Sequence, residues 1–386
     1  MMPYPSGRHL LMTADAVGGV WSHATSLAQE LARRGWAITL VTLGPAPRQD
    51  QFVPLLSYPR IELEITDLAL EWQDPEGDDR ERVLEFLGAL EERVRPDVVH
   101  LNGYREACAN WRAPVLVTAH SCVGSWWRAC RGSAPCEAGW QAYLADVAAG
   151  LKAADRWVAP TSAFRDTVAQ LYAPPRKGEV IWNGLAGIET AAGSGAAEEP
   201  FILAAGRLWD ESKNIGVLPG IAGRLDWPVR IAGARRREGC AAGVEDGVEW
   251  FGRLPNAELL AMMRRAGIFV SPAVYEPFGL TVLEAASSGC ALVLADIPAF
   301  RELWDEAALF VDPRDAEAIL AALNGLARDA GQRAELQAAA RERAGRYTLA
   351  AKADAYERLY REMLGPPSRR SPRLSASDRE ACAVCG

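Results

Sequence analysis

Short apolar runs alternate with helix-period segments along most of the chain. Arg8 to Met12 reads as a strand, Val20 to Arg34 as a helix closed by Gly35, and Ala37 to Leu43 as a second strand. The rhythm continues with a helix at Arg80 to Arg93, strands at Asp97 to Leu101 and Pro114 to Thr118, a helix at Gly139 to Ala153, and short strands at Trp157 to Ala159 and Glu179 to Trp182. Such alternation implies a doubly wound parallel sheet, an α/β fold whose ligands lie beyond the carboxyl ends of the strands.

The pattern breaks at Ala186 to Pro200, a stretch of Gly, Ala, Ser and Glu, and then restarts. Phe201 to Ala205 and Pro228 to Ala232 are strand-like, Leu254 to Arg265 is largely helical, and Ile268 to Ser271 is a buried-type strand. Ala291 to Leu294 and Ala308 to Val311 extend a second sheet, followed by helices from Ala316 to Ala344 and Leu349 to Leu364. The expected organisation is a Rossmann-like domain over 1–185, a linker over 186–200, a second domain over 201–346, a helix over 347–364 and a disordered tail over 365–386 rich in Pro, Ser and Arg. A cleft between two such domains is the expected ligand site.

Composition narrows the class. With 386 residues and 49% hydrophobic content the chain can bury two cores. A net charge of −8, free of long single-sign blocks, argues against nucleic acid as the main partner. No apolar run approaches membrane-spanning length and the first residues lack signal-peptide order, so a cytoplasmic protein is expected. Cys108, Cys122, Cys130, Cys136, Cys240 and Cys290 are too sparse for a disulfide framework. The C-x-x-C of Cys382 and Cys385 lacks a second ligand pair nearby, so no metal site is expected.

Candidate chemistry concentrates at Ser271–Ala286. The strand ending at Ser271 stops at Pro272, turns through Glu276 and Pro277, and leads into a helix over Thr281 to Ser288 that ends at Gly289. The first turn, near Phe278, Gly279 and Leu280, should present unpaired N–H groups suited to phosphate. Glu284 lies about 7 Å further along the axis and Glu276 precedes the helix, so two carboxylates bracket whatever those amides hold. A phosphate linked to two polyols fits, which is the layout of a nucleotide sugar. Read alone, the same residues also suit a loop glutamate and a solvated helix charge.

Further candidates are scattered. Arg207 and Lys213 follow a strand and precede a helix, in a chain whose lysines are confined to Lys152, Lys177, Lys213 and Lys352. A guanidinium and an ammonium together can neutralise a diphosphate, and they can equally form surface pairs with Asp210 and Glu211. Gly18 and Gly19 permit close backbone approach or a plain tight turn, without the G-x-G-x-x-G of a dinucleotide site. His120 closes the strand Val115–Ala119, where it can steer a hydroxyl or serve structure. Trp126 and Trp127 can stack on a sugar or fill a core.

Several segments together resemble the family-four retaining glycosyltransferases. Glu276 to Glu284 is similar to that family's E-x7-E element, including the Pro-Phe-Gly within and the Leu-Glu-Ala at its end. Gly206 to Lys213 is similar to its G-R-x5-K element, and Val180 to Gly184 to its V-I-x-N-G segment, although Ala186 and Gly187 stand where an acidic residue is usual. The resemblance runs from Gly18 to about Leu364. It implies a GT-B fold, with an acceptor domain first, a donor domain second, and the last helix crossing back.

The resemblance also implies roles. Glu284 would bind ribose hydroxyls, Glu276 would orient the sugar with the amides of Phe278 and Gly279, Leu280 would also meet the donor, and Arg207 and Lys213 would hold the diphosphate as it leaves. Gly18 and Gly19 would approach the donor, His120 would assist at the sugar, and His23, Trp126 and Trp127 would meet the acceptor. His100 is assigned to packing or loop support. The donor is a nucleotide-diphosphate sugar, UDP-hexose preferred over GDP-mannose, with no metal and no other cofactor. The acceptor is a carbohydrate, lipid-linked or small-molecule hydroxyl, and contact with the inner membrane face depends on which. An epimerase or phosphorylase on the same architecture, a non-catalytic nucleotide-sugar binder, and a metal-dependent transferase of the other fold are the alternatives; the last wants a D-x-D that Asp78-Asp79, in a polar stretch, does not supply.

Overall fold

A computed structural model describes residues 8–187, 199–234, 243–245 and 247–365. Most of the expected linker and the tail beyond 365, with its Cys382 and Cys385, lie outside the described residues.

The first sheet holds β1 (His9–Asp15), β2 (Ala37–Leu43), β3 (Ile61–Ile65), β4 (Val98–Leu101), β5 (Val115–Thr118), β6 (Arg156–Ala159) and β7 (Glu179–Val180) in the order β3-β2-β1-β4-β5-β6-β7. Every pairing is parallel. All residues of β2, β4 and β5 are buried, which is why these strands read as unbroken apolar runs rather than alternating ones. Edge strand β3 is only partly covered and keeps glutamates in its Ile-Glu-Leu-Glu-Ile pattern, so its apolar signal is weak.

The second sheet holds β8 (Glu199–Ala205), β9 (Val229–Ala232), β10 (Gly243–Glu245), β11 (Val248–Gly252), β12 (Ala266–Ser271), β13 (Ala291–Ala295) and β14 (Leu309–Val311), ordered β10-β11-β9-β8-β12-β13-β14. Its strands are parallel except β10, which runs antiparallel to β11 at one edge. Helices cover each sheet, and separate clusters of buried side chains fill the space on their faces. The helix expected from Ala316 to Ala344 is two, Ala316–Arg328 and Ala330–Ala344, because Asp329 turns the chain and accepts a hydrogen bond from Gln332 N as the cap of the second.

The helix Leu349–Leu364 returns to the first sheet. Its Tyr360 and Tyr356 hydroxyls reach His100 and Thr118 at 2.6 and 3.1 Å, and both rings are fully buried. Where it leaves the second domain, Leu349 N donates to Leu185 O and Leu185 N donates to Tyr347 O, so the two passes of chain between the domains run side by side. Gly184 makes this approach feasible, since a Cβ there would lie 2.2 Å from Thr348 O. No helix of the described residues is long and apolar enough to cross a membrane.

Candidate functional site

The turn after β12 is built as its sequence suggests. Gly279, at φ 87°, redirects the chain into the helix Leu280–Ser288, and no side chain caps that N-terminus. Its first amides therefore face outward with the partial positive charge of the helix end. The Phe278 ring is buried, so this residue offers its backbone rather than its side chain. Glu276 sits at the turn with its Oε2 2.5 Å from Lys213 Nζ, in a pair whose side chains are 18% and 20% exposed. Glu284 accepts a hydrogen bond from Asn256 Nδ2 at 3.2 Å, and burial pushes its carboxyl up to about 7, partly opposed by that bond.

Arg207 stands on the loop after β8. Its Nη2 donates to Asp210 Oδ2 at 2.9 Å, so the i,i+3 pairing weighed in the sequence is present. Asp210 is more than its partner. Its Oδ1 also accepts from Ser212 N, Ser212 Oγ and, across the domain boundary, Trp126 Nε1 at 3.1 Å. Burial disfavours the Asp210 carboxylate, but these donors outweigh it and hold the group down to about 2.

The glycine loop of the first domain meets these elements from the opposite side. A Cβ on Gly18 would stand 2.7 Å from Arg207 Nη1, and one on Gly19 would stand 3.4 Å from Leu280 Cδ1. Gly18 also has φ 84°, a conformation that a side chain disfavours. Just before this loop, buried Asp15 accepts from Val17 N; desolvation raises its carboxyl to about 7, against the lowering effect of that bond and of Arg207. Nothing in the local sequence marks Asp15 beyond its place at a strand end.

His120 follows β5 and bonds through Nε2 to Asn102 Oδ1 at 2.7 Å. Burial, with the charge of Lys352, pushes its imidazole down to about 3, so the ring is neutral near pH 7. His23 does not line an open groove as an acceptor contact would. It is 3% exposed, bonds through Nδ1 to Asn183 Oδ1 and packs edge-on against His120 with ring centroids 4.4 Å apart. Fully buried His100 bonds to Tyr360 and Thr118, and Lys352 Nζ donates to His23 O. The crossing helix thus supports the histidine cluster from beneath, a role that no local motif announces.

Trp126 and Trp127 lie on the helix Val123–Arg131, half-buried and T-shaped at 6.0 Å, with the Arg131 guanidinium over both rings. The indole N–H of Trp126 is committed to Asp210, and Trp127 packs towards Trp140. Arg131 also forms a two-point pair with Glu211, and Ser125 Oγ bonds to Tyr275 OH at 2.7 Å, so this helix bridges the domains. A groove of about 620 Å³ that includes Gly124, Arg128, Gln141, Leu144 and Tyr172 contains neither tryptophan nor any of the charged residues above.

Glu276, Lys213, Arg207, Gly18, Gly19 and Leu280 are therefore brought together. His120 follows β5, two strands across the sheet from β1, and Glu284 lies along the helix Leu280–Ser288 with Asn256 of a separate helix as its partner. Asp210, Asp15, Asn102, Asn256 and Lys352 complete the arrangement and are the residues that motif reading passes over. Among the described residues no group of three or more His, Cys, Asp or Glu is placed to hold a metal ion.

Two family descriptions match this chain, Glycosyltransferase Family 4 over residues 17–186 and Glycosyl transferases group 1 over residues 192–343. O-antigen chain mannosyltransferase B of Escherichia coli is 32% identical over 105 residues, 25% of this chain and 28% of that protein. The GDP-mannose:cellobiosyl-diphosphopolyprenol alpha-mannosyltransferase of Xanthomonas campestris is 32% identical over 165 residues, 39% of this chain and 43% of that protein. Each match spans less than half the relative's length.

Among solved structures, sucrose-phosphate synthase of Thermosynechococcus elongatus aligns with a TM-score of 0.74 at 18% identity, over 92% of this chain and 99% of that one. HepE of Anabaena, in complex with UDP and glucose, aligns with a TM-score of 0.71 at 16% identity, over 91% and 99%. At these identities the likeness is one of fold.

Proposed function

We propose that this chain, which belongs to the family-four glycosyltransferases and has their two-domain GT-B fold, moves a hexose from a nucleotide diphosphate to an acceptor hydroxyl with retention at the anomeric carbon. The observation that carries the reading is the meeting of Arg207 and the uncapped helix start with the Gly18–Gly19 loop, with Lys213 held at the same turn by Glu276. Positive charge and free amides gather where the chain leaves least steric bulk, which suits a diphosphate.

In this reading the bond from the anomeric carbon to the β-phosphate oxygen breaks as the acceptor oxygen bonds the same carbon on the same face. The acceptor's hydroxyl proton passes to the departing phosphate oxygen, giving the glycoside and the free nucleoside diphosphate. Arg207, Lys213 and the amides of Gly279 and Leu280 take up the charge that grows on the leaving group, which leaves no charge role that requires a metal ion. Glu276 exchanges its Lys213 partner for sugar hydroxyls as the diphosphate claims the ammonium. Glu284 binds ribose.

The donor favoured is a UDP-hexose, since HepE is also seen in complex with UDP-glucose, with GDP-mannose next because curated relatives are named as mannosyltransferases. The acceptor is a carbohydrate, lipid-linked or small-molecule hydroxyl. Anomeric analysis of the product by NMR tests the stereochemistry. An α-linked product from an α-linked donor is expected, and a β-linked product overturns the front-face route.

A further inference from the structure

Near the carboxyl ends of β1, β4 and β5, hydrogen bonds link Thr13, Asn102 and His120 in a row. β1 pairs with β4 through Met12 and His100, which brings Asn102, two residues beyond, to the Thr13–Ala14 stretch. Asn102 N donates to Thr13 Oγ1 at 2.9 Å and its side-chain Nδ2 donates to Thr13 O at 2.6 Å. β4 pairs with β5 through Leu101 and Val117, and just beyond this pairing the Asn102 side chain reaches along to His120.

This geometry removes an ambiguity that an asparagine usually leaves. A backbone carbonyl can only accept, so the Asn102 amide cannot flip without setting two oxygens against each other. Its Oδ1 must therefore face His120 Nε2, and Nε2 must carry the proton. His23, edge-on at 4.4 Å, holds the plane of the ring. Nδ1 of His120 has no hydrogen-bond partner among the described residues, while its neighbour His100 is bonded at both nitrogens.

We propose that Asn102 is a positioning residue that locks His120 as its Nε2–H tautomer, so that Nδ1 presents a lone pair to a sugar hydroxyl. The hydroxyl contact rests on the transfer reading above; the tautomer does not. The titratable groups facing the ring are His23 from the helix Gly19–Arg33, His100 from β4 and Lys352 from the crossing helix, and burial and Lys352 keep the imidazole neutral.

The test uses the full chain with ¹⁵N-labelled histidine, whose four histidines are resolved by comparison with His120→Gln. His120 should be protonated at Nε2, bare at Nδ1 and unchanged between about pH 5 and 8. Asn102→Asp sets a carboxylate against Nε2 and should turn the ring into an imidazolium that titrates in that range, with kcat/KM at least about tenfold lower and a new limb in its pH profile. The other histidine signals report whether the variant is folded. If it is not, the wild-type tautomer still decides.

An Nδ1–H tautomer, or an Asn102→Asp protein whose His120 signals and pH profile match the wild type, overturns the proposal. If the advantage of UDP-glucose over UDP in binding shrinks in Asn102→Asp, the hydroxyl belongs to the donor hexose. An unchanged ratio with a raised acceptor KM assigns it to the acceptor. A His120→Ala enzyme that transfers sugar at the wild-type rate removes the hydroxyl contact and contradicts the transfer role of His120, whatever the tautomer.

Discussion

Lys213 and Glu276, 63 positions apart, meet at 2.5 Å beside the open end of the helix Leu280–Ser288. Each neutralises the other where the proposed reaction needs both, one for the diphosphate and one for the sugar. Replacing Lys213 with Met should lower kcat by about 100-fold or more, the usual cost of deleting a charge-stabilising donor. Because the pair is partly solvated, stability should change by about 1 kcal/mol or less. Glu276→Gln in the Lys213→Met background should add much less than it does alone. Strict additivity of the kcat/KM effects contradicts the coupling.

Gly18 separates backbone from the Arg207 guanidinium. Gly18→Ala introduces a methyl 2.7 Å from Nη1 and strains a φ of 84°. Steady-state kinetics should give a donor KM raised by about tenfold, with a melting temperature lowered by the equivalent of roughly 1 kcal/mol. An unchanged donor KM places the glycine loop away from the donor.

Trp126 invites a reassignment. In the sequence it pairs with Trp127 as a flat surface for an acceptor, but its indole N–H is spent on Asp210, which in turn orients Arg207. Trp126→Phe keeps most of the ring and removes this hydrogen bond to a charged group, about 1.5–3 kcal/mol. Donor KM and kcat should suffer while acceptor KM stays put. A rise confined to acceptor KM returns Trp126 to the stacking role.

Lys352 is buried with its Nζ on His23 O, and desolvation lowers its pKa from 10.5 to about 7. Between those values the unfolded chain carries the proton and the folded one does not. Stability from this group therefore rises with pH from about 7 to 10.5, by about 1.4 kcal/mol per unit at most, and is lost as pH falls through 7. In denaturant titrations the stability of wild type minus that of Lys352→Met should increase with pH over this window. A constant difference contradicts the burial of a neutral amine.

Much of the fold is legible in the chain because parallel strands buried on both faces leave short, β-branched apolar runs such as Ala37–Leu43, too short for a core helix. Strand β3 is hard to read because glutamates interrupt its apolar pattern at a partly covered edge. The helix Val123–Arg131 is hidden by its Gly, Ser and Trp content, and its N-cap is the thiol of Cys122, an uncommon acceptor. The charged core of the site is readable from local spacing, since Glu276, Gly279 and Glu284 share one turn and one helix. Its supports are not. Asn102, Asp210 and Lys352 act on partners up to 329 residues away, contacts made between strand ends, across the domain boundary and by the crossing helix rather than by any motif.

The central claim is that this cleft grips a diphosphate, and calorimetric binding of a nucleoside diphosphate against its monophosphate measures that grip directly. For whichever of UDP/UMP or GDP/GMP binds, the diphosphate should bind at least about tenfold tighter in the wild type, and Lys213→Met should abolish most of the gap. Equal affinities for the two, or a gap untouched by Lys213→Met, contradict the account.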